Sequence, residues 1–378
     1  MQYRDFGSTG IKVSILGFGA MRLPEVETKG KYQVKEEESI EMIQRAFELG
    51  VNYIDTAYPY CHRQSELAVG KALQGWKDKV YLSSKMPTWE VKKTGDYRRF
   101  LEEQLKKLNV EYIDFYHFHG LDEDRFKNIV LKHKLLREAR KAKEEGLIKH
   151  ISFSFHDKPE VMKRLIDIGI FESVLCQYNL LDRNNEEAMA YAQSKGLGVA
   201  VMGPVGGGRL VVSDILKEAI GPDVKSTPAL ALRFVFANKN VSVALSGMEN
   251  KEMVEENARV ASLSEPLSSK QLQIMENFIE NRKKKEEIPC TNCGYCQPCP
   301  NNVAIPEIFQ LMNYYTIYGL KEYACKEYQN IGVGTLWSGE KDERKQADAC
   351  VECGECEEKC PQKIKIMEKL KEIHEILG

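Results

Sequence analysis

Two sets of residues in this 378-residue chain have types and spacings suited to chemistry. The first is a pair of cysteine runs: Cys290, Cys293, Cys296 and Cys299 followed by Pro300, then Cys350, Cys353, Cys356 and Cys360 followed by Pro361. Thiolates this close converge on one small inorganic object. Four of them would fill the tetrahedral shell of zinc. Three at x2–x2 spacing with a remote Cys-Pro fit better a [4Fe–4S] cubane that takes its fourth ligand from the other run. The expected partition is Cys290, Cys293, Cys296 and Cys360 on one cluster, and Cys350, Cys353, Cys356 and Cys299 on a second. Cys299 follows after two intervening residues instead of three, so its partner is the weakest part of that assignment.

The second set is Asp55, Tyr60, Lys85 and His119. Together they suit reduction of a carbonyl. A phenol titrates near ~10 and is a poor acid at neutral pH. An adjacent ammonium stabilises the phenolate, and a carboxylate holds the ammonium in place. Tyr60 is then the general acid, Lys85 its tuner, Asp55 the partner of Lys85, and His119 a hydrogen-bond donor to the same substrate oxygen.

These residues can meet only if the chain brings distant segments together. Apolar runs at Ile15–Ala20, Asn52–Thr56, Val80–Lys85, Tyr112–His119, His150–Phe155, Ser173–Tyr178, Gly198–Gly203 and Ser242–Gly247 read as strands, each followed by a stretch of helical periodicity. Gly50, Gly146 and Gly169 serve as helix stops. Eight such units in about 250 residues predict a closed (β/α)8 TIM barrel, in which reactive groups collect at the C-terminal ends of the strands. The first strand ends in GFGAMR, which lacks the third glycine of a dinucleotide-binding open sheet. YRDFGSTGIKVS predicts a short hairpin plugging the barrel's N-terminal mouth, and the expected domains are residues 1–285 and 286–378.

Bulk properties narrow the function. A formal charge of −2 argues against an electrostatic nucleic-acid binder. No apolar leader segment and no run of 18 apolar residues is present, so no membrane association is expected. Of the eleven cysteines only Cys61 and Cys176 lie in the first 285 residues, an uneven distribution that suits a reduced cytoplasm better than a disulfide framework.

GVNYIDTAYPYCHRQSE resembles the signature of aldo-keto reductases, and VYLSSK and YIDFYHFH resemble the segments that complete that family's Asp-Tyr-Lys-His tetrad. The resemblance spans roughly residues 1–265 and implies a nicotinamide cofactor, NADP or NAD. It carries the carboxamide contact onto Ser154. The family's glutamine falls at Leu175, and Gln177, on the same strand face, is the substitute. Gly19, Ala20 and Met21 end the first strand. GPVGGGRL, with Gly203, Pro204, Val205 and Gly207, resembles the loop over the pyrophosphate. Glu256 and Asn257 match the adenosine-binding helix. The family's basic residues for a 2′-phosphate fall at Gly247 and Met253, leaving Lys251 or Arg209 as replacements. The cysteine region resembles an α-helical two-cluster ferredoxin, with helices expected over IPEIFQLMNYYTIYG and IKIMEKLKEIHEIL.

The expected function is an oxidoreductase interconverting a small carbonyl compound and an alcohol, linked to two [4Fe–4S] clusters. Clusters pass single electrons whereas nicotinamide chemistry moves a hydride. The link therefore wants a bound flavin, a ferredoxin or flavoprotein partner, or a structural or sensing role for the clusters. The alternative is a redox-sensing or electron-transfer protein that uses the barrel for nucleotide binding or docking.

Overall fold

The computed structural model describes residues 1–28, 31–206, 226–263, 267–283, 288, 290, 294–317, 319–334 and 341–378. Gly207, Arg209 and Cys293 lie outside the described residues. The chain divides into two compact units: the described residues of Met1–Leu210 and Pro228–Ser268 form one, and those of Ser269–Gly378 the other.

The first unit opens with an antiparallel hairpin of β1 (Tyr3–Asp5) and β2 (Lys12–Ser14). Eight parallel strands follow: β3 (Leu16–Gly19), β6 (Tyr53–Asp55), β7 (Tyr81–Met86), β8 (Ile113–Leu121), β9 (Ile148–Phe155), β10 (Ser173–Gln177), β11 (Gly198–Met202) and β12 (Val243–Ser246). They close into a barrel in which β12 pairs with β3. The eight expected strands all form. A second hairpin, β4 (Glu25–Thr28) with β5 (Lys31–Val34), has no counterpart among the expected elements.

The floor of the barrel is apolar. Phe6 and Val13 pack against Tyr53, Phe115, Leu175, Ala200, Val243 and Leu245, residues near the starts of their strands or on their inner faces. The Phe6 ring meets Phe115 edge-on at 4.7 Å, a favoured aromatic geometry. The plug expected from the first hairpin is therefore present.

Helices between the strands follow their sequence signals. Glu36–Glu48 opens with Glu36, Glu37 and Glu38 and carries Arg45 in its last turn, charges that complement the helix dipole. Gly50, Gly146 and Gly169 all take the positive φ of a helix-ending turn. Asn109 does the same after Asp96–Leu108.

In the second unit, helices Ile305–Thr316 and Ile366–Leu377 form where the sequence indicates, joined by Lys321–Gln329. Ile308, Phe309, Tyr328, Leu370 and Ile373 are buried. The Tyr328 hydroxyl bonds His374 at 2.8 Å and accepts from the Ala347 amide at 3.0 Å, tying the cysteine loop to two helices.

Candidate active site and cysteine centres

Asp55 ends β6, Lys85 stands one residue from the end of β7, and His119 lies near the end of β8. Tyr60 follows five residues after Asp55, at the start of a turn whose next three residues, Cys61, His62 and Arg63, all have positive φ. L-residues hold that conformation only when their surroundings enforce it. Here Tyr32 of β5 stacks on His62 at 4.7 Å. Gln64 binds the Val34 amide and the Tyr32 carbonyl, while Arg63 donates to Tyr58 and Glu90.

The four expected catalytic side chains come together. The Lys85 ammonium donates to Asp55 Oδ1, to the Thr56 carbonyl at 2.9 Å and to the Tyr60 hydroxyl at 3.0 Å. Its three donors thus meet three acceptors. Asp55 Oδ2 accepts from Ser83 at 2.7 Å. The Tyr60 and His119 rings lie 6.0 Å apart, edge to face. Trp89 packs 4.9 Å from His119, and Thr88 donates to the His119 carbonyl at 2.6 Å.

The strand pairing is irregular around His119. The β8–β9 register shifts between Phe118 and Leu121. Gly120 has a φ of +62° and gives its amide to Ser154 Oγ at 2.7 Å. Such bulges re-aim a side chain at the rim of a sheet.

Burial governs the electrostatics. It lowers Lys85 but Asp55 and Tyr60 outweigh it, so the ammonium titrates above its ordinary value. Asp55 is raised by burial, with Lys85 pulling it back. Tyr60 also titrates above the ordinary phenol: burial raises it more than Lys85 lowers it. The ammonium therefore offsets the cost of burying a phenolate without bringing the phenol below its ordinary value. Burial, then Lys85 and neighbouring cationic groups, hold His119 well below 6.5, so it is a neutral imidazole at working pH. His117, one strand period below, is pushed down to about 3 by burial and Lys85.

Behind Lys85, on the outer face of β7, a buried polar network holds the strand. Gln104 donates to the Lys85 carbonyl at 3.1 Å and to Ser84 at 2.9 Å, and accepts from Tyr116 at 2.6 Å. Glu66 accepts from Ser84 at 2.8 Å. Tyr58 packs on Phe100 against helix Asp96–Leu108, whereas Met21 is exposed at the end of the first barrel strand.

The residues expected to contact the nucleotide occupy the same rim. Ser154 is buried near the end of β9, and Gln177 ends β10 with its amide against Gly203. A Cβ at Gly203, whose φ is +62°, would come within 2.4 Å of Gln177 Nε2. Ser154 accepts from Gly120 and keeps its O–H to donate, so a hydroxyl and a side-chain amide stand on neighbouring strand ends. That pair complements a primary carboxamide. Gly19 and Ala20 are fixed by bonds from Ala20 to the Asp55 carbonyl and from Ser65 to the Ala20 carbonyl. Pro204 and Val205 turn the chain after β11, closed by Gly206 bonding to Gly203. Asn257 is buried and donates to Ser246 at 3.1 Å, with Glu256 beside it on helix Lys251–Ala261. Lys251 turns away to pair with Glu41 at 3.7 Å.

In the second unit seven of the described cysteines line two narrow cavities. Cys299, Cys350, Cys353 and Cys356 line one. Cys290, Cys296 and Cys360 line the other, and Cys296 reaches both. Cys299 is thereby brought to the second run. Burial and the neighbouring thiols push Cys356 up to about 11, a proton that a bound iron must displace. Cys61, next to Tyr60, is a buried thiol donating to the Met21 carbonyl at 3.4 Å, and Cys325 is half-buried away from both cavities.

Residues 15–280 match the model of the aldo/keto reductase family. This chain belongs to that family. Residues 289–365 of the reductase match the 4Fe-4S dicluster domain. Among curated relatives, a probable aldo-keto reductase 1 of Glycine max is 30% identical over 65% of this chain and 71% of its own length. The L-galactose dehydrogenase of Arabidopsis thaliana is 29% identical over 72% of this chain and 91% of its own. A solved aldo-keto reductase of Bacillus halodurans, in its holo form, superposes with a TM-score of 0.63 at 25% identity, covering 73% of this chain and 96% of that one. The reductase is thus an oxidoreductase with a C-terminal 4Fe–4S region. Among its described residues no helix is long and apolar enough to cross a membrane.

Proposed function

We propose that the reductase interconverts a small carbonyl compound and an alcohol at the C-terminal rim of its barrel with a nicotinamide cofactor, and that its second unit carries two [4Fe–4S] clusters. The observation that carries the catalytic reading is the Tyr60 hydroxyl held 3.0 Å from a Lys85 ammonium that also binds Asp55. Lys85 donates to the phenol oxygen, so the phenol's own proton is directed away from Lys85. Tyr60 gives that proton to a carbonyl oxygen in reduction and takes one from the alcohol in oxidation. Neutral His119 donates a hydrogen bond to the same oxygen as charge develops on it. Trp89, packed on His119, walls the substrate side. Ser154 and Gln177 would hold the nicotinamide carboxamide. The cofactor, when bound, supplies or accepts the hydride.

Cys290, Cys293, Cys296 and Cys360 would hold one cluster, and Cys299, Cys350, Cys353 and Cys356 the other. Each cluster, when bound, exchanges single electrons, and a ferredoxin or flavoprotein is the matching partner. The decisive experiment is Tyr60→Phe in enzyme with its iron intact. Carbonyl and alcohol turnover with NADH and NADPH should fall by roughly 10²–10⁴, while the broad visible absorption of the clusters is unchanged. Unaltered turnover would remove Tyr60 from the chemistry.

A further inference from the structure

We infer that Arg125 binds a carboxylate carried by the substrate, so that the reductase acts on oxo acids whose carbonyl lies a few bonds from the acid group. The inference rests on the proposed carbonyl site and names the class of compound that enters it.

Trp89 links the two groups. Its ring lies 4.9 Å from that of His119, and the Arg125 guanidinium stands 5.9 Å from the same indole. A compound lying along Trp89 with its carbonyl at Tyr60 and His119 therefore has its far end beside a cation. Among the described residues no other arginine or lysine stands over Trp89. Arg63, on the loop after β6, is engaged by Glu90 at 2.9 Å and Tyr58 at 3.1 Å.

The loop after β8 holds Arg125 in place. Asp122 accepts the Arg125 amide at 2.7 Å, and the side chain folds back to donate from Nη1 to the Gly120 carbonyl at 2.7 Å. Gly120 follows His119 directly, so the guanidinium is anchored next to the reacting end. Its Nε meets Asp122 only at 3.7 Å, too long for a hydrogen bond, and Nη2 has no hydrogen-bond partner among the described residues. The side chain is 31% exposed, which leaves its remaining donors open to the paired contact that a carboxylate makes with arginine. The neighbouring acids are already engaged. Glu123 pairs with Lys127 at 2.9 Å and Arg164 at 3.2 Å, Asp124 accepts from Asn128 at 2.6 Å, and Asp157 accepts the Glu123 amide at 3.0 Å. The Arg125 charge also reaches the site: after burial, Lys85 and two histidines, it is among the groups that lower His119. In the reaction the carbonyl gains the cofactor's hydride and the Tyr60 proton. The carboxylate is unchanged and serves to fix the compound's position.

The test uses the full chain with its iron. Turnover of 4-oxobutanoate is compared with that of its methyl ester, and binding of succinate, which cannot be reduced, is followed by calorimetry. The parent should favour the acid over the ester in kcat/KM and should bind succinate. Arg125→Gln should cut the acid-over-ester preference roughly ten- to a hundredfold, chiefly through KM for the acid, and weaken succinate by a similar factor. Arg125→Lys keeps the charge without the planar fork and should fall between the two. A preference and a succinate affinity both unaltered by Arg125→Gln would make the arginine a brace for the loop and overturn the assignment, as would a parent that favours the ester. Succinate binding that depends on Arg125, with no carbonyl compound turned over, would uphold the carboxylate site and reject instead the chemistry proposed for Tyr60.

Discussion

Lys85 is 1% exposed, a cost of several kcal/mol for an ammonium unless every donor is met. Asp55, Thr56 and Tyr60 meet all three, so removing one partner should hurt more than the loss of a single bond. Asp55→Asn keeps the shape but leaves the ammonium short of its counter-charge. It is expected to lower turnover and also to destabilise the fold by about 3 kcal/mol, measurable by chemical unfolding. His117 makes a different kind of demand. It is 1% exposed, and burial and the Lys85 charge outweigh the backbone hydrogen bond from its ring to Phe153. Unfolded, it takes a proton near 6.5; folded, it resists down to about 3. Its contribution to stability is complete above pH 6.5 and is lost progressively as the pH falls toward 3. His117→Leu should therefore make the melting temperature less sensitive to acid across that window. An unchanged slope would show that His117 does not sense the medium in this way. At this scale the tetrad was legible in the sequence because each member needs its residue type.

At the scale of elements, two glycines set the rim. Gly203 lies against the Gln177 amide with positive φ, and Gly203→Ala must both strain the backbone, by about 1–2 kcal/mol, and displace the amide. Nucleotide affinity is expected to drop roughly tenfold, read by fluorescence titration with NADPH and NADH, and retention of full affinity would separate Gln177 from the carboxamide. The strands and helices themselves were readable. Apolar runs of parallel strands and glycine stops are local signals, and they match the observed bounds within a few residues. The β4–β5 hairpin escaped because its stabilising contacts are distant: Gln64 binds its backbone and Tyr32 stacks on His62. For the same reason sequence could not show that Tyr58 turns outward to Phe100, or that the strand pairing is irregular around His119.

For the whole molecule, the cysteine spacing predicts separable centres. Cys360 lies in one cavity and Cys353 in the other. Cys360→Ser should reduce iron from roughly eight to roughly four atoms per chain, with the remaining absorption still bleached by a strong reductant. Complete loss of iron would mean that the two centres assemble as one unit. The runs were plain in the sequence; that Cys299 shares a cavity with the second run needed the fold, because its spacing departs from the usual run.

The hairpin that fills the floor of the barrel has a consequence for traffic. Phe6 and Val13 are fully buried there, so the barrel is a cup and not a tube. The described residues close the barrel below Tyr60, so the arriving compound and the departing one share the doorway at its other end. Neither can pass while the other stands in it, so the product should inhibit in direct competition with the substrate, and turnover should be limited by how quickly that doorway clears.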